Sequence, residues 1–128
     1  MAGLAVWQAA NALGVEGARI KWPNDVLVHG RKLAGVLGES DGLGTDDPRV
    51  VVGIGINVDW ARDDFPPDIA PTMTSLREAS GGRPVDREAL LASFVDHLDA
   101  RLDALRAGYF DIADWSGRDF LDLGCGTG

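Results

Sequence analysis

The chain has 128 residues, 45% of them hydrophobic, with 12 Lys and Arg against 20 Asp and Glu, giving a formal net charge of -8. That length suits one domain at most, and the acidic balance argues against non-specific binding to nucleic acid or to an anionic membrane, both of which need clustered cations. Cys125 is the single cysteine, which excludes an internal disulfide framework and fits a reducing, cytoplasmic setting. No apolar run reaches the roughly 18 residues of a membrane span, and the first residues lack the charged start of a secretory signal.

In chain order, Leu4, Val6, Trp7, Ala10 and Leu13 predict a helix over 4–13 with Gly14 as its stop. No Ser, Thr, Asp or Asn precedes Leu4, so the helix is expected to start further upstream. Ile20 to Val28 predicts a strand, which Pro23 makes an edge or a bulged one. His29-Gly30-Arg31 predicts a tight turn, and Leu33 to Glu39 returns as the second strand of a hairpin. A Gly- and Asp-rich loop over 40–48 leads to a third strand, Val50 to Val58, completing an antiparallel meander. Residues 59–85 are Pro- and Asp-rich and predict a long irregular segment, of the kind that is usually functional or mobile. Asp86 to Leu105 predicts a helix with Asp86 as N-cap, a Val85/Leu90 staple, and one apolar stripe through Leu90, Leu91, Phe94, Val95, Leu98, Leu102 and Leu105. The expected fold is therefore α+β: helix, three-stranded antiparallel meander, long loop, C-terminal helix.

Chemistry is suggested where these strands carry residues that a purely structural strand would not. Alternation along the third strand sends Val50, Val52, Ile54, Ile56 and Val58 to the core, and Val51, Gly53, Gly55 and Asn57 to the other face. Two glycines on one face leave bare backbone, either as the floor under a flat ligand or as a place where a helix packs closely. Asn57 ends that face with both a donor and an acceptor. On the second strand, Gly35 lies bare between Leu33 and Leu37, a slot suited to an apolar-bodied ligand with a polar edge. Lys32 stands at its entrance, able to hold a carboxylate or phosphate, or simply a solvated turn lysine. Lys21 and Asp25, four apart, share a strand face; they read as a phosphate and Mg²⁺ site or as a surface ion pair, and Pro23-Asn24-Asp25 also fits an ordinary turn. His29 and His97 have no partners at metal-ligand spacing, and no nucleophile elbow or Walker-type loop is present.

Lys21-Trp22-Pro23-Asn24-Asp25-Val26-Leu27, then Gly30-Arg31-Lys32-Leu33-Ala34-Gly35-Val36-Leu37, then Val52-Gly53-Ile54-Gly55-Ile56-Asn57-Val58, resembles the catalytic domain of the biotin protein ligases, with Thr74-Ser75-Leu76 and the following helix in keeping. The likeness covers roughly residues 3–115. It implies part of a class II synthetase-like, SH2-like fold. It also implies a reaction in which biotin and ATP, with Mg²⁺, give biotinyl-5′-adenylate, and biotin is then passed to a lysine of a biotin carboxyl-carrier domain. By resemblance, Lys32 contacts the biotin carboxylate and the α-phosphate, and Gly35, Leu37, Gly53 and Gly55 line the biotin slot. Lys21, Asn24, Asp25 and Asn57 lie on the adenylate side, with Asp25 near Mg²⁺. Simple alternation puts Lys32 opposite Gly35, so a twist or turn must re-aim it.

The family's Gly-Arg-Gly-Arg-type loop and early strands are not in this sequence, so weak or absent ligase activity is the expectation for these 128 residues. A boundary is expected near residue 115, with 116–128 leading toward a further domain. Phe120-Leu121-Asp122-Leu123-Gly124-Cys125-Gly126-Thr127-Gly128 also resembles the first glycine motif of S-adenosylmethionine-dependent methyltransferases, a start of that fold or a plain glycine turn. Two more functions are compatible with the same residues: that of a lipoate–protein ligase relative, and that of a non-catalytic biotin- or nucleotide-binding segment. The sequence leaves the oligomeric state open.

Overall fold

A computed structural model describes residues 1–42, 44–47 and 49–107, with the backbone of 120–121. Helix α1 (Ala2–Ala12) is followed by strands β1 (Ala18–Lys21), β2 (Asp25–Val28), β3 (Arg31–Asp41) and β4 (Arg49–Ile56). A short helix α2 (Leu76–Ala79), the long helix α3 (Arg87–Arg106) and a two-residue strand β5 (Phe120–Leu121) complete the chain order. The sheet order is β4-β3-β2-β1-β5, with β1 to β4 antiparallel to their neighbours and β5 parallel to β1.

Helix α1 ends as its sequence predicts. Gly14 takes φ +79°, and the Gly14 and Val15 amides donate to the Asn11 and Ala10 carbonyls, a Schellman closure that satisfies the last turn. The helix packs on one face of the sheet through small residues. Ala5, Ala9 and Ala10 are fully buried, so its backbone lies close to Val26, Val28, Leu33 and Ala34. Helix α3 packs against α1, with Asp86 capping it through its carboxylate to the Glu88 and Ala89 amides at 2.9 and 3.1 Å.

The structure corrects four expectations. The run Ile20 to Val28 is two strands rather than one: Trp22, Pro23 and Asn24 form the connection, and Lys21 pairs with Asp25 across it. Proline has no amide to donate, and in the turn none is needed, so β2 sits inside the sheet and the meander has four strands. Val50 and Val52 are exposed (66% and 47%), because β4 is an edge strand whose first half runs beyond the helical layer; only Ile54, Ile56 and Val58 reach the core. Leu91, Val95 and Leu105 are exposed as well, leaving Leu90 and Phe94 to carry the α3 contact with the core. Finally, 59–85 is not a free loop. It contains two 3-10 turns and α2, and it buries Phe65, Thr74, Ser75 and Leu76. The glycine run after Leu121 lies outside the described residues.

Candidate ligand-binding site

The sheet face opposite α1 carries the polar and glycine positions. Registers Lys21↔Asp25, Asp25↔Gly35 and Gly35↔Gly55 set these four residues in one row straight across the sheet, with Leu37↔Gly53 in the row beside it. Lys21 and Asp25 thus share a face, but as partners across a hairpin.

Lys32 joins them through an irregularity. Val26 pairs with Ala34 and Leu27 pairs with Lys32, so β3 has one extra residue, Leu33, at this point. Leu33 and Ala34 are both buried, and the bulge brings Lys32 and Gly35 to the same face three residues apart. This is the re-aiming that simple alternation lacked. The Lys32 ammonium lies 2.7 Å from Asp25 Oδ1, folded back over Gly35; a Cβ on Gly35 would sit 3.2 Å from Lys32 Cε and Nζ. Gly35 therefore seats the lysine as well as the slot. Asp25 Oδ1 is closed to solvent and has no well-aligned hydrogen bond; the Lys32 contact is close in distance but poor in angle. A further cation or donor at this oxygen would complete it.

Gly53 and Gly55 have a different surrounding. A Cβ on Gly53 would meet only the Leu37 carbonyl, at an ordinary 3.8 Å, and on Gly55 it would meet nothing within 4 Å. Both are exposed, and no helix of the described residues packs there. Close packing by a described helix thus does not account for these glycines, whose backbone is bare among the described residues. Leu37 is 61% exposed beside it.

Asn24 lies exposed in the β1–β2 turn, its carbonyl accepting from the Val36 amide at 2.7 Å. Asn57 follows β4 and is only partly exposed. Its Nδ2 donates to the carbonyls of Thr74 (3.0 Å) and Lys32 (3.4 Å), so the donor end of this amide is committed to the chain itself. No group of three or more His, Cys, Asp or Glu side chains converges among the described residues. Asp25 is the single carboxylate in the row Lys21, Asp25, Gly35 and Gly55, too few for a magnesium cage made by the described side chains alone.

Two contributors near Lys32 were not singled out from sequence: Arg31 and Glu78. Arg31 Nη1 donates to Glu78 Oε1 at 2.6 Å, Arg62 approaches the same oxygen at 3.1 Å, and Thr74 Oγ1 donates to Glu78 Oε2 at 3.1 Å. Partial burial pushes the Glu78 carboxyl up, but hydrogen bonds from Arg31 and Thr74 and the charges of Arg31 and Arg62 outweigh it and hold it below its ordinary value. The available signal was Ser75-x-x-Glu78, a helix-start pattern. Ser75 does cap α2 by accepting from the Glu78 amide, while the Glu78 carboxylate turns away to the arginines.

Comparison with known proteins gives the family of this chain. Residues 2–57 match the Biotin/lipoate A/B protein ligase family. The bifunctional ligase/repressor BirA of Bacillus spizizenii is 40% identical over 91 residues, 71% of this chain and 28% of the relative. The biotin--[acetyl-CoA-carboxylase] ligase of Mycobacterium tuberculosis is 39% identical over 104 residues, 79% of this chain and 35% of the relative. Among solved structures, the apo biotin protein ligase of Aquifex aeolicus superposes with a TM-score of 0.71 at 31% identity, covering 83% of this chain and 45% of that one. The same ligase in complex with biotin and ATP gives 0.68 at 32% identity, over 80% and 41%. The chain thus spans from about a quarter to under half the length of these relatives. Sequence identity over most of this chain and the superposed backbone together place it among the biotin protein ligases of the biotin/lipoate A/B protein ligase family.

Proposed function

We propose that this chain supplies the biotin floor and the reacting cation of an ATP-dependent biotin–protein ligase. The observation that carries the reading is the row Lys21, Asp25, Gly35 and Gly55 with Lys32 folded over it: a bare, flat surface edged by two cations and one carboxylate. Biotin's fused rings are flat and apolar with a polar edge, and they fit against Gly53 and Gly55 beside Leu37. Its carboxylate then meets Lys32.

In the first step a carboxylate oxygen attacks the α-phosphorus of ATP; the new O–P bond forms as the bond to the β-phosphate oxygen breaks, and pyrophosphate leaves. Lys32 offsets the charge that gathers on the carboxylate and α-phosphate during this transfer. Lys21, Asn24 and Asp25 face the phosphates, where magnesium bound to ATP supplies further charge neutralisation. Asn57 closes the adenylate side through its carbonyl oxygen, its NH₂ being already engaged. In the second step a lysine amine of a biotin carboxyl-carrier domain attacks the mixed anhydride carbonyl, and AMP leaves.

Calorimetry with biotin, and with biotin plus ATP and Mg²⁺, tests the reading. Biotin is expected to bind the purified chain, and Lys32→Ala is expected to weaken it by about tenfold, in keeping with one charge-assisted contact of about 1.5 kcal/mol. Lipoate binding in place of biotin would move the reading to lipoate attachment. Stabilisation by S-adenosylmethionine alone would overturn it.

A further inference from the structure

We infer that Glu78 is a positioning residue for Lys32, acting across the fold from α2; this rests on the reading of Lys32 as the ligand-contacting cation. The bulge at Leu33 interrupts the regular β2–β3 ladder next to the Leu27–Lys32 pair, so contacts from outside the hairpin bear on where Lys32 is held. The segment 73–78 supplies these contacts. The Thr74 amide donates to the Lys32 carbonyl at 2.9 Å, and Asn57 Nδ2 reaches that carbonyl and Thr74's. Met73 and Lys32 form an isolated parallel bridge, and Arg31 Nη1 also approaches the Met73 carbonyl at 3.4 Å. All of these need segment 73–78 to stay in place. Glu78 fixes it at both ends, taking Arg31, from the residue next to Lys32, on one oxygen and Thr74 on the other.

The arrangement separates two roles by face. Arg31 pairs with Val28, a core position, and its side chain leaves on that side toward Glu78. Lys32 pairs with Leu27 and leaves on the open face. Locking Arg31 therefore sets where the Lys32 backbone turns outward, without any contact between Glu78 and a ligand. A group that sets the direction of a reacting cation matters because small misplacements weaken its effect strongly.

The chain has two lysines, Lys21 and Lys32, which permits a direct readout. Acylation by a soluble amine-reactive ester, followed by peptide mass spectrometry, gives the Lys32-to-Lys21 labelling ratio, with Lys21 as internal reference. In the wild type the ion pair with Asp25 shields Lys32. Glu78→Ala is expected to raise the ratio several-fold, Glu78→Gln to restore part of it, and Thr74→Val, which keeps the buried volume, to raise it without unfolding. Glu88→Gln on the exposed start of α3 serves as control. The same variants should weaken biotin binding in the wild-type background and have no effect in a Lys32→Ala background. An unchanged ratio in folded Glu78→Ala and Thr74→Val would overturn the inference. A changed ratio with no biotin binding by the wild type would leave the positioning role standing and remove the biotin reading instead.

Discussion

Gly55 faces open space, where an added Cβ has no non-neighbouring atom of the described chain within 4 Å, whereas any flat ligand lying on the floor must meet a side chain there. Glycine inside a strand is also unfavourable by roughly 0.5–1 kcal/mol. Gly55→Val is therefore expected to leave the melting temperature equal or higher while abolishing biotin binding. A fall in stability together with retained binding would show that the glycine serves the fold. Gly35 differs, since a side chain there pushes directly on Lys32. The two glycines looked equivalent in sequence, and only the register separated the one that seats a lysine from the one that bares the floor. Asn57 shows the opposite limit. Its position after a glycine strand suggested a ligand contact, while its donor end holds Lys32 and Thr74 carbonyls that lie 25 and 17 residues away and leave no local trace in the sequence.

At the scale of elements, short-range chemistry was the legible part. The Gly14 stop, the Asp86 cap and the His29-Gly30 turn, whose φ values of 49° and 79° suit a tight hairpin, all follow from neighbours within a few residues. What misled was Pro23, since one apolar run with a proline reads equally as a bulged strand or as two strands and a turn. The tie between α2 and the start of β3 joins residues 47 apart and was not legible at all. It makes a pH prediction. The Glu78 carboxyl is held below its ordinary 4.5, so its stabilising contribution is full above that value and fades as pH falls through the lower, folded value. The difference in melting temperature between wild type and Glu78→Gln should thus be constant from neutral pH to about 5 and shrink as acid is added. A difference that grows in acid would mean the carboxyl is raised instead.

Across the whole molecule, the sheet divides into a half covered by α1 and a half that runs past it. Val26, Val28, Leu33 and Ala34 are shut away from water, while Val50, Val51 and Val52 on the β4 edge are not. Amides with few buried neighbours open at lower free energy. Hydrogen exchange should therefore protect β2 and the first half of β3 longest, with β4 from Arg49 to Val52 exchanging well before them. Uniform protection along β3 and β4 would contradict this division. The fold class was readable because hydrophobic periodicity reports which face is buried, yet it does not report how far the covering helix extends. Valines at 50 and 52 kept the alternation of a core strand beyond the end of the core.

The extra residue at Leu33 has a consequence for folding accuracy. Were β3 to pair with β2 without it, Gly35 and Leu33 would share the open face and Lys32 would turn inward among Val26, Val28 and Ala34. An ammonium in hydrocarbon is a severe penalty, and an exposed Leu33 adds to it. The side chain proposed to receive the ligand thus also disfavours the slipped hairpin: folding sends the cation to the open face, and the hold from segment 73–78 then sets where on that face it points.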